Sequence, residues 1–240
     1  MTSDPMVPAP DDRVPQPDEL PAPPTWRDVT KLPLLMIALM FIAGAVLYPS
    51  IPARFASHWG IAGTPDAYST KSFLSVFLLP LIAAAVYALL VVAPLLDPKR
   101  RSLKMSIHAY NIVVDGVIAL EAVVFAATLA AAFNAAFDVT KVILVGVGLL
   151  FAVIGNFMTT VKQNWTFGVR VSWTLSDEVV WRKTNRLGGY LFVATGVLTM
   201  FSALLPAPVA LATMLSAIAA MLVITYVYAY LLYRSRHPES

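Results

Sequence analysis

The chain has 240 residues, 58% of them hydrophobic and only 13% charged, with a formal net charge of +3 and no cysteine. A charged fraction about half the ~25% of soluble domains, with a mean hydropathy of +0.73, excludes an ordinary soluble domain and points to the membrane class. The missing thiols exclude disulfides, thiolate metal ligands and a cysteine nucleophile.

The chain opens on a polar tail. Residues 1–24 hold eight of the 18 prolines, with Asp and Glu between them and no periodic apolar positions. Residues 1–31 therefore read as a disordered, Pro-rich tail, serving either as a spacer or as a ligand for an aromatic-lined groove. The first apolar run begins only at Leu32, and no A-x-A site follows it, so insertion through uncleaved spans is expected.

Residues 32–105 read as a two-helix unit. Its apolar runs are Leu32–Tyr48 and Ser72–Leu96, each within the ~17–25 residues that cross a bilayer. The 49–71 loop between them is turn-rich, because Pro49, Pro52, Gly60, Gly63 and Pro65 interrupt any helix. In that loop His58 and Asp66 are placed to hydrogen-bond and give a pH-sensitive contact. One His and one Asp make a poor zinc site, which takes three or four protein ligands. Structural loop and peptide contact are the leading readings, and metal the weakest.

Residues 106–240 read as a four-helix module, with runs over Ser106–Phe133, Val142–Val161, Leu187–Leu205 and Ala207–Tyr233. Residues 190–233 are 44 uncharged positions. As one helix they would extend ~66 Å, about twice the hydrocarbon thickness, so Pro206-Ala207-Pro208 marks a hairpin of two spans. In the third run His108, Asn111 and Asp115 share one helical face. Asp115 lies ~14 Å inside the span, and Glu121 is rotated away from it, so no acid dyad is expected. Intramembrane acids are functional candidates by default; structural polar packing, a ligand or proton site, and chemistry all stay open. In the fourth run Gly148, Ala152, Gly155 and Thr159 form a small-residue face suited to close helix packing. Asn156 beside it is placed to bond a neighbouring helix.

The stretch Gly155–Gly189 between the fourth and fifth runs is the densest in signal. It holds five of the 17 Lys/Arg and three of the five Trp. Thr174-x-x-Asp177 fits a capping box, and Ser176 followed by Asp177-Glu178 fits an N-cap with acids against the helix dipole. Gly188-Gly189 supplies a stop, which predicts a short helix over about 177–187. Glu178 and Arg182 are spaced to pair, and Trp173 and Trp181 suit the headgroup level. The alternatives are an interfacial helix, a docking face for a cytoplasmic partner, or a lipid or ligand pocket. In the last case Arg170, beyond the turn at Gly168, would grip phosphate.

Fourteen of the 17 Lys/Arg fall in segments 1–31, 97–105, 162–189 and 234–240, and only Arg54, Lys71 and Lys141 fall in the other loops. The excess of basic residues on one side predicts cytoplasmic N- and C-termini, a cytoplasmic 162–189 segment and an outer 49–71 loop. The pI near 9.2 is read as this orientation signal and not as direct nucleic-acid binding. The fold class expected is an all-α, polytopic membrane protein with six transmembrane helices.

The residues Asn156, Asn164, Gly168-x-Arg170, Trp173-Thr174-Leu175, Asp177-Glu178, Trp181-x-Lys183, Asn185-Arg186 and Gly188-Gly189 together resemble the SdpI family of bacterial membrane immunity proteins. Ile51-Pro52, His58-Trp59, Gly63, Pro65-Asp66, Tyr68 and Ser69-x-Lys71 resemble the uncharacterised domain that often precedes that module. The resemblance implies a multi-pass protein of the bacterial inner (plasma) membrane that gives resistance to a secreted antimicrobial peptide. In the family's best-known member the toxin-engaged protein also holds a repressor at the membrane. The partners implied are membrane lipid, such a peptide outside and a cytoplasmic repressor inside. No His cluster, nucleophile–base pair or cofactor fingerprint stands out, so no catalytic, cofactor or metal residues are assigned and no enzyme is expected. The alternative is a proton-linked small-molecule or peptide transporter using Asp115 and Glu121.

Overall fold

The computed structural model describes residues 20–238. The expected disorder of the tail lies, for residues 1–19, outside the described residues. Eight helices and one β-hairpin follow among those described: α1 (Leu32–Leu47), β1 (Arg54–Trp59), β2 (Pro65–Thr70), α2 (Phe73–Leu96), α3 (Arg100–Lys104), α4 (Ile107–Phe133), α5 (Val139–Met158), α6 (Ser172–Ser176), α7 (Glu178–Ser202) and α8 (Ala207–Arg236).

Five of them, α1 (with the turn that continues it to Ser50), α2, α4, α5 and α8, are long and apolar enough to cross a membrane. Their surfaces carry large exposed apolar side chains, such as Val46, Leu89 and Leu231, in an amount that suits lipid and not water. α7 has comparable length, but its first turns carry Arg182, Lys183 and Arg186, so it is less apolar overall. The helices pack in a chain of neighbours. α1, α2 and α4 touch one another, α4 touches α5, α5 packs along α7, and α7 packs on α8.

Two backbone features fix this packing. Pro94 lies inside α2 and has no N–H, which leaves the carbonyl four residues earlier without its helical donor. That carbonyl, of Leu90, accepts from the Tyr110 hydroxyl of α4 at 2.6 Å. The second is the α5–α7 contact. A Cβ on Gly148 would lie 2.5 Å from the Gly196 oxygen, and one on Gly155 would lie 2.5 Å from that of Gly189. The pairing 148 with 196 and 155 with 189 runs antiparallel, so backbone meets backbone along the helices and only glycine fits. The small-residue face expected in the fourth run does pack in this way. Asn156 is exposed instead of bonding a neighbouring helix.

Two expectations are corrected here. The chain is not purely helical, since the 49–71 loop contains a two-stranded antiparallel hairpin with Phe55 opposite Ser69 and Ala56 opposite Tyr68. Turn residues alone hid it. The 54–59 stretch buries only Phe55 and Ala56 and has an irregular register after Ala56, so it lacks a clean alternation. Residues 25–31 are also more ordered than a disordered tail. They form a turn at Trp26–Asp28 and bury Val29. The Asn111 amide donates to the Asp28 carbonyl at 2.9 Å and its oxygen accepts from the Thr30 N–H at 3.1 Å. The Tyr87 hydroxyl donates to the Thr30 carbonyl at 2.7 Å.

The bundle has two distinct ends. At one, Gly63 of the hairpin approaches Thr140 at the start of α5 and Ala207 at the start of α8. At the other lie residues 25–31, 97–106 and 159–177 and the end of α8, joined by the contacts described next.

Candidate functional site

The segment between α5 and α7 folds as a knot whose polar side chains bond backbone. Asn164 is fully buried; its oxygen accepts from the N–H groups of Thr166 and Phe167 at 2.8 and 2.7 Å, and its amide donates to the Lys162 carbonyl. Thr174 is also fully buried and its hydroxyl donates to the Val169 carbonyl at 2.7 Å. Asn185 reaches from α7 to accept from the Val169 N–H at 2.8 Å. The Trp181 indole donates to the Val161 carbonyl at 2.8 Å. Gly168 has φ +118, a left-handed value, and a Cβ there would sit 2.7 Å from the Asn185 oxygen and 3.0 Å from the Trp181 ring. Glycine is required on both counts.

Neighbouring helices grip the knot. Asp97, nearly buried at the end of α2, accepts from the Trp165 N–H at 2.8 Å and the Thr166 hydroxyl at 2.6 Å. Gln163 donates to the carbonyls of Thr174 and Leu175 and accepts from the Lys99 ammonium. Ser106 accepts the Lys162 N–H at 2.9 Å. Asp97, Gln163 and Ser106 were not among the candidates read from sequence, and Asn185 entered only as part of the family resemblance, with no structural role. For Asp97 a signal existed: it is a lone acid closing an apolar run before Pro98-Lys99-Arg100-Arg101.

Asp177 caps α7, accepting from the N–H groups of Val179 and Val180 at 2.7 and 3.0 Å. Its second oxygen accepts from Arg236 at 2.8 Å and meets His237 at 3.1 Å, both at the end of α8. Burial alone would raise the Asp177 carboxyl. The Arg236 bond and then the cap and His237 bonds outweigh it, and hold the group down at about 2. Across the same end the Lys104 bond, joined by the Thr25 N–H, holds the Asp28 carboxyl down at about 2.

Several expected roles change. Trp181 is wholly buried and is not a headgroup anchor, because the loop folds over it. Gly188-Gly189 does not stop the helix; α7 runs on to Ser202, since those glycines are the surface that meets α5. The cap is Asp177 and not Ser176. Trp173 lies edge-on to Tyr226 and Tyr230 of α8, at 5.0 and 5.1 Å. Asn111 is spent on the backbone of residues 28–30.

The remaining candidates divide by exposure. Arg170, Lys183 and Arg186 are exposed and Glu178 is half-buried; Arg170 donates to the Trp165 carbonyl at 2.5 Å. Arg170 also borders an apolar cleft of about 460 Å³ between α4, α8 and the loop. In the hairpin, His58 Nδ1 and Asp66 Oδ1 lie 2.5 Å apart, as the sequence reading expected. Gly63 has φ +76 at the hairpin turn. Trp59 pairs with Pro65 in the register. In α4, Asp115 Oδ1 and Glu121 Oε2 are buried with no hydrogen-bond partner among the described residues. No cluster of three or more potential metal ligands occurs among the described residues.

Comparison with known proteins gives the following. Residues 160–231 match the SdpI/YfhL protein family, and residues 35–84 match a domain of unknown function, DUF1648. The chain is 22% identical to Immunity protein SdpI of Bacillus subtilis (strain 168) over 163 residues, which are 68% of this chain and 75% of that protein. No solved structure matches. The resemblance read from residues 156–189 is thereby borne out, and it covers the knot, α6, α7 and most of α8.

Proposed function

We propose that this chain is a bacterial plasma-membrane immunity protein that protects its cell from a secreted antimicrobial peptide. In this reading it crosses the bilayer six times, with α7 as the sixth crossing element and both termini in the cytoplasm. The observation that carries the reading is the overlap of two sets of residues. Asn164, Gly168, Thr174, Trp181 and Asn185 build the buried knot, and all five fall within residues 160–231, the stretch that matches the SdpI/YfhL family. The antiparallel fit of α7 against α5 supports a sixth crossing, because helices packed over that length share the same depth.

The peptide is met at the hairpin end, and the response is delivered at the knot. α8 offers the mechanical link. It starts where Ala207 touches Gly63 of the hairpin and ends where Arg236 and His237 grip the Asp177 cap. A shift of the hairpin therefore reaches the α7 cap through one helix. A cytoplasmic repressor would read the exposed residues around that cap.

The test is complementation. A Bacillus subtilis strain lacking its own immunity protein would express this chain and grow in culture supernatant from the intact strain. Survival is expected. Killing, with the chain present in the membrane at normal level, would contradict the reading.

A further inference from the structure

We infer that the surface groove between the C-terminal end of α5 and the first turns of α7 binds the phosphate headgroup of an anionic phospholipid. The groove measures about 490 Å³ and is lined by Thr159, Thr160, Lys162, Arg182, Lys183 and Arg186, with no carboxylate among its lining residues. That volume holds a glycerophosphodiester head.

Three of the groove's four cations, Lys162, Lys183 and Arg186, are poorly compensated among the described residues. Neither Lys162 nor Lys183 has an ion pair or side-chain hydrogen bond among the described residues. Among the described residues Arg186 uses only its Nε, donating to the Tyr190 hydroxyl at 3.3 Å, which leaves the rest of its guanidinium fork for an oxyanion. Other cations of this end are committed: Lys104 to Asp28, Lys99 to Gln163, and Arg236 to Asp177. Charges left together without a counter-ion repel one another, and an anion between them relieves that repulsion.

The exposed stripe of α7 points to a lipid and not a soluble anion. Along one face it runs Lys183, Arg186, Tyr190, Ala194, Val197, Phe201, all exposed. It therefore passes from cationic through aromatic to apolar, the sequence of environments along a phospholipid from head to chain. α5 repeats the pattern beside it, with Thr159, Thr160 and Asn156 exposed near the cations and Leu149 and Val145 exposed further along. A free phosphate would use the cations and leave the apolar continuation without purpose. The site needs only that the bundle lies in a bilayer, so its failure would leave the immunity reading untouched.

The test is native mass spectrometry of the purified full chain in detergent, titrated with phosphatidylglycerol or phosphatidylethanolamine. The site predicts selective retention of phosphatidylglycerol, undiminished by millimolar glycerol phosphate. Removing one such charge weakens attachment about fivefold, so the triple variant Lys162→Gln/Lys183→Gln/Arg186→Gln should lose the selectivity by at least tenfold. The control Arg54→Gln/Lys141→Gln, at the hairpin end, should keep it. If the triple variant does not fold, Lys183→Glu alone carries the same expectation by reversing one exposed charge. Equal retention of both lipids would overturn the inference and leave the cations as a protein-docking face. So would selectivity that survives the triple variant. Displacement by glycerol phosphate would reassign the groove to a soluble phosphate.

Discussion

The indole N–H of Trp181 donates to the carbonyl of Val161 at 2.8 Å, joining the first residues beyond α5 to the first turn of α7 across a wholly buried ring. The bond closes the knot from beneath. Replacing Trp181 by Phe keeps most of the ring and leaves the Val161 carbonyl buried without its donor, a loss of about 1–3 kcal/mol. A clear fall in the melting temperature of the detergent-solubilised protein is expected. Trp165→Phe, at a half-exposed ring, should leave it nearly unchanged.

Gly196→Ala should separate α5 from α7. The added Cβ would lie 2.4 Å from the Gly148 carbonyl oxygen, a backbone atom that cannot swing away. Overpacking of this kind costs about 1–3 kcal/mol. Gly146→Ala is the contrast. Its Cβ meets only the flexible end of Leu120, and alanine gains about 0.5–1 kcal/mol over glycine within a helix. Thermal melting should show the first variant destabilised and the second neutral or slightly stabilised.

Tyr110→Phe tests the repair at Pro94. Without the hydroxyl, the Leu90 carbonyl that Pro94 leaves free has no donor. In a lipid-surrounded bundle no water replaces it. A loss of about 1–2 kcal/mol is expected in the same assay. A melting temperature equal to wild type would show that the carbonyl finds another partner.

The Asp177 clamp makes a pH prediction. Its folded carboxyl sits at about 2 against an ordinary 3.8. Between those values the unfolded chain binds more protons, so the stabilisation is complete above pH about 4 and fades as pH falls towards 2. Asp177→Asn keeps the cap acceptor but not the charge that Arg236 and His237 meet. Melting curves of wild type and variant should therefore converge as pH drops through that window, and stay apart from pH 4 to neutrality. Asp28 titrates in the same range in both proteins, so only their difference reports on the clamp.

Much of the helical frame was legible because bilayer spans announce themselves by length. Leu32–Tyr48, Ser72–Leu96 and Ser106–Phe133 fall within a residue or so of α1, α2 and α4. The glycine face of α5 was readable from its spacing. The end of α7 was not, because Gly188-Gly189 as a sequence signal is the same whether glycine ends a helix or lets a neighbour approach. Only the position of Gly155 opposite Gly189 decides between them. Trp181 was misplaced for a related reason. Composition says that tryptophan favours interfaces, and only the folding of residues 160–171 over its ring makes it core. The long-range partners Asp97, Gln163 and Asn185 each need a second segment to give them meaning. The hairpin escaped because it buries too little for a strand pattern to appear.

The account rests on the hairpin facing outward and the knot facing the cytoplasm, and the natural absence of cysteine makes that directly measurable. Single cysteines at the exposed positions Ala67 and Ser176 would be treated with a membrane-impermeant maleimide in intact cells and again after permeabilisation. The account predicts labelling at 67 in intact cells, and at 176 only once the membrane is opened. Labelling at 176 in intact cells, with 67 protected, would contradict it.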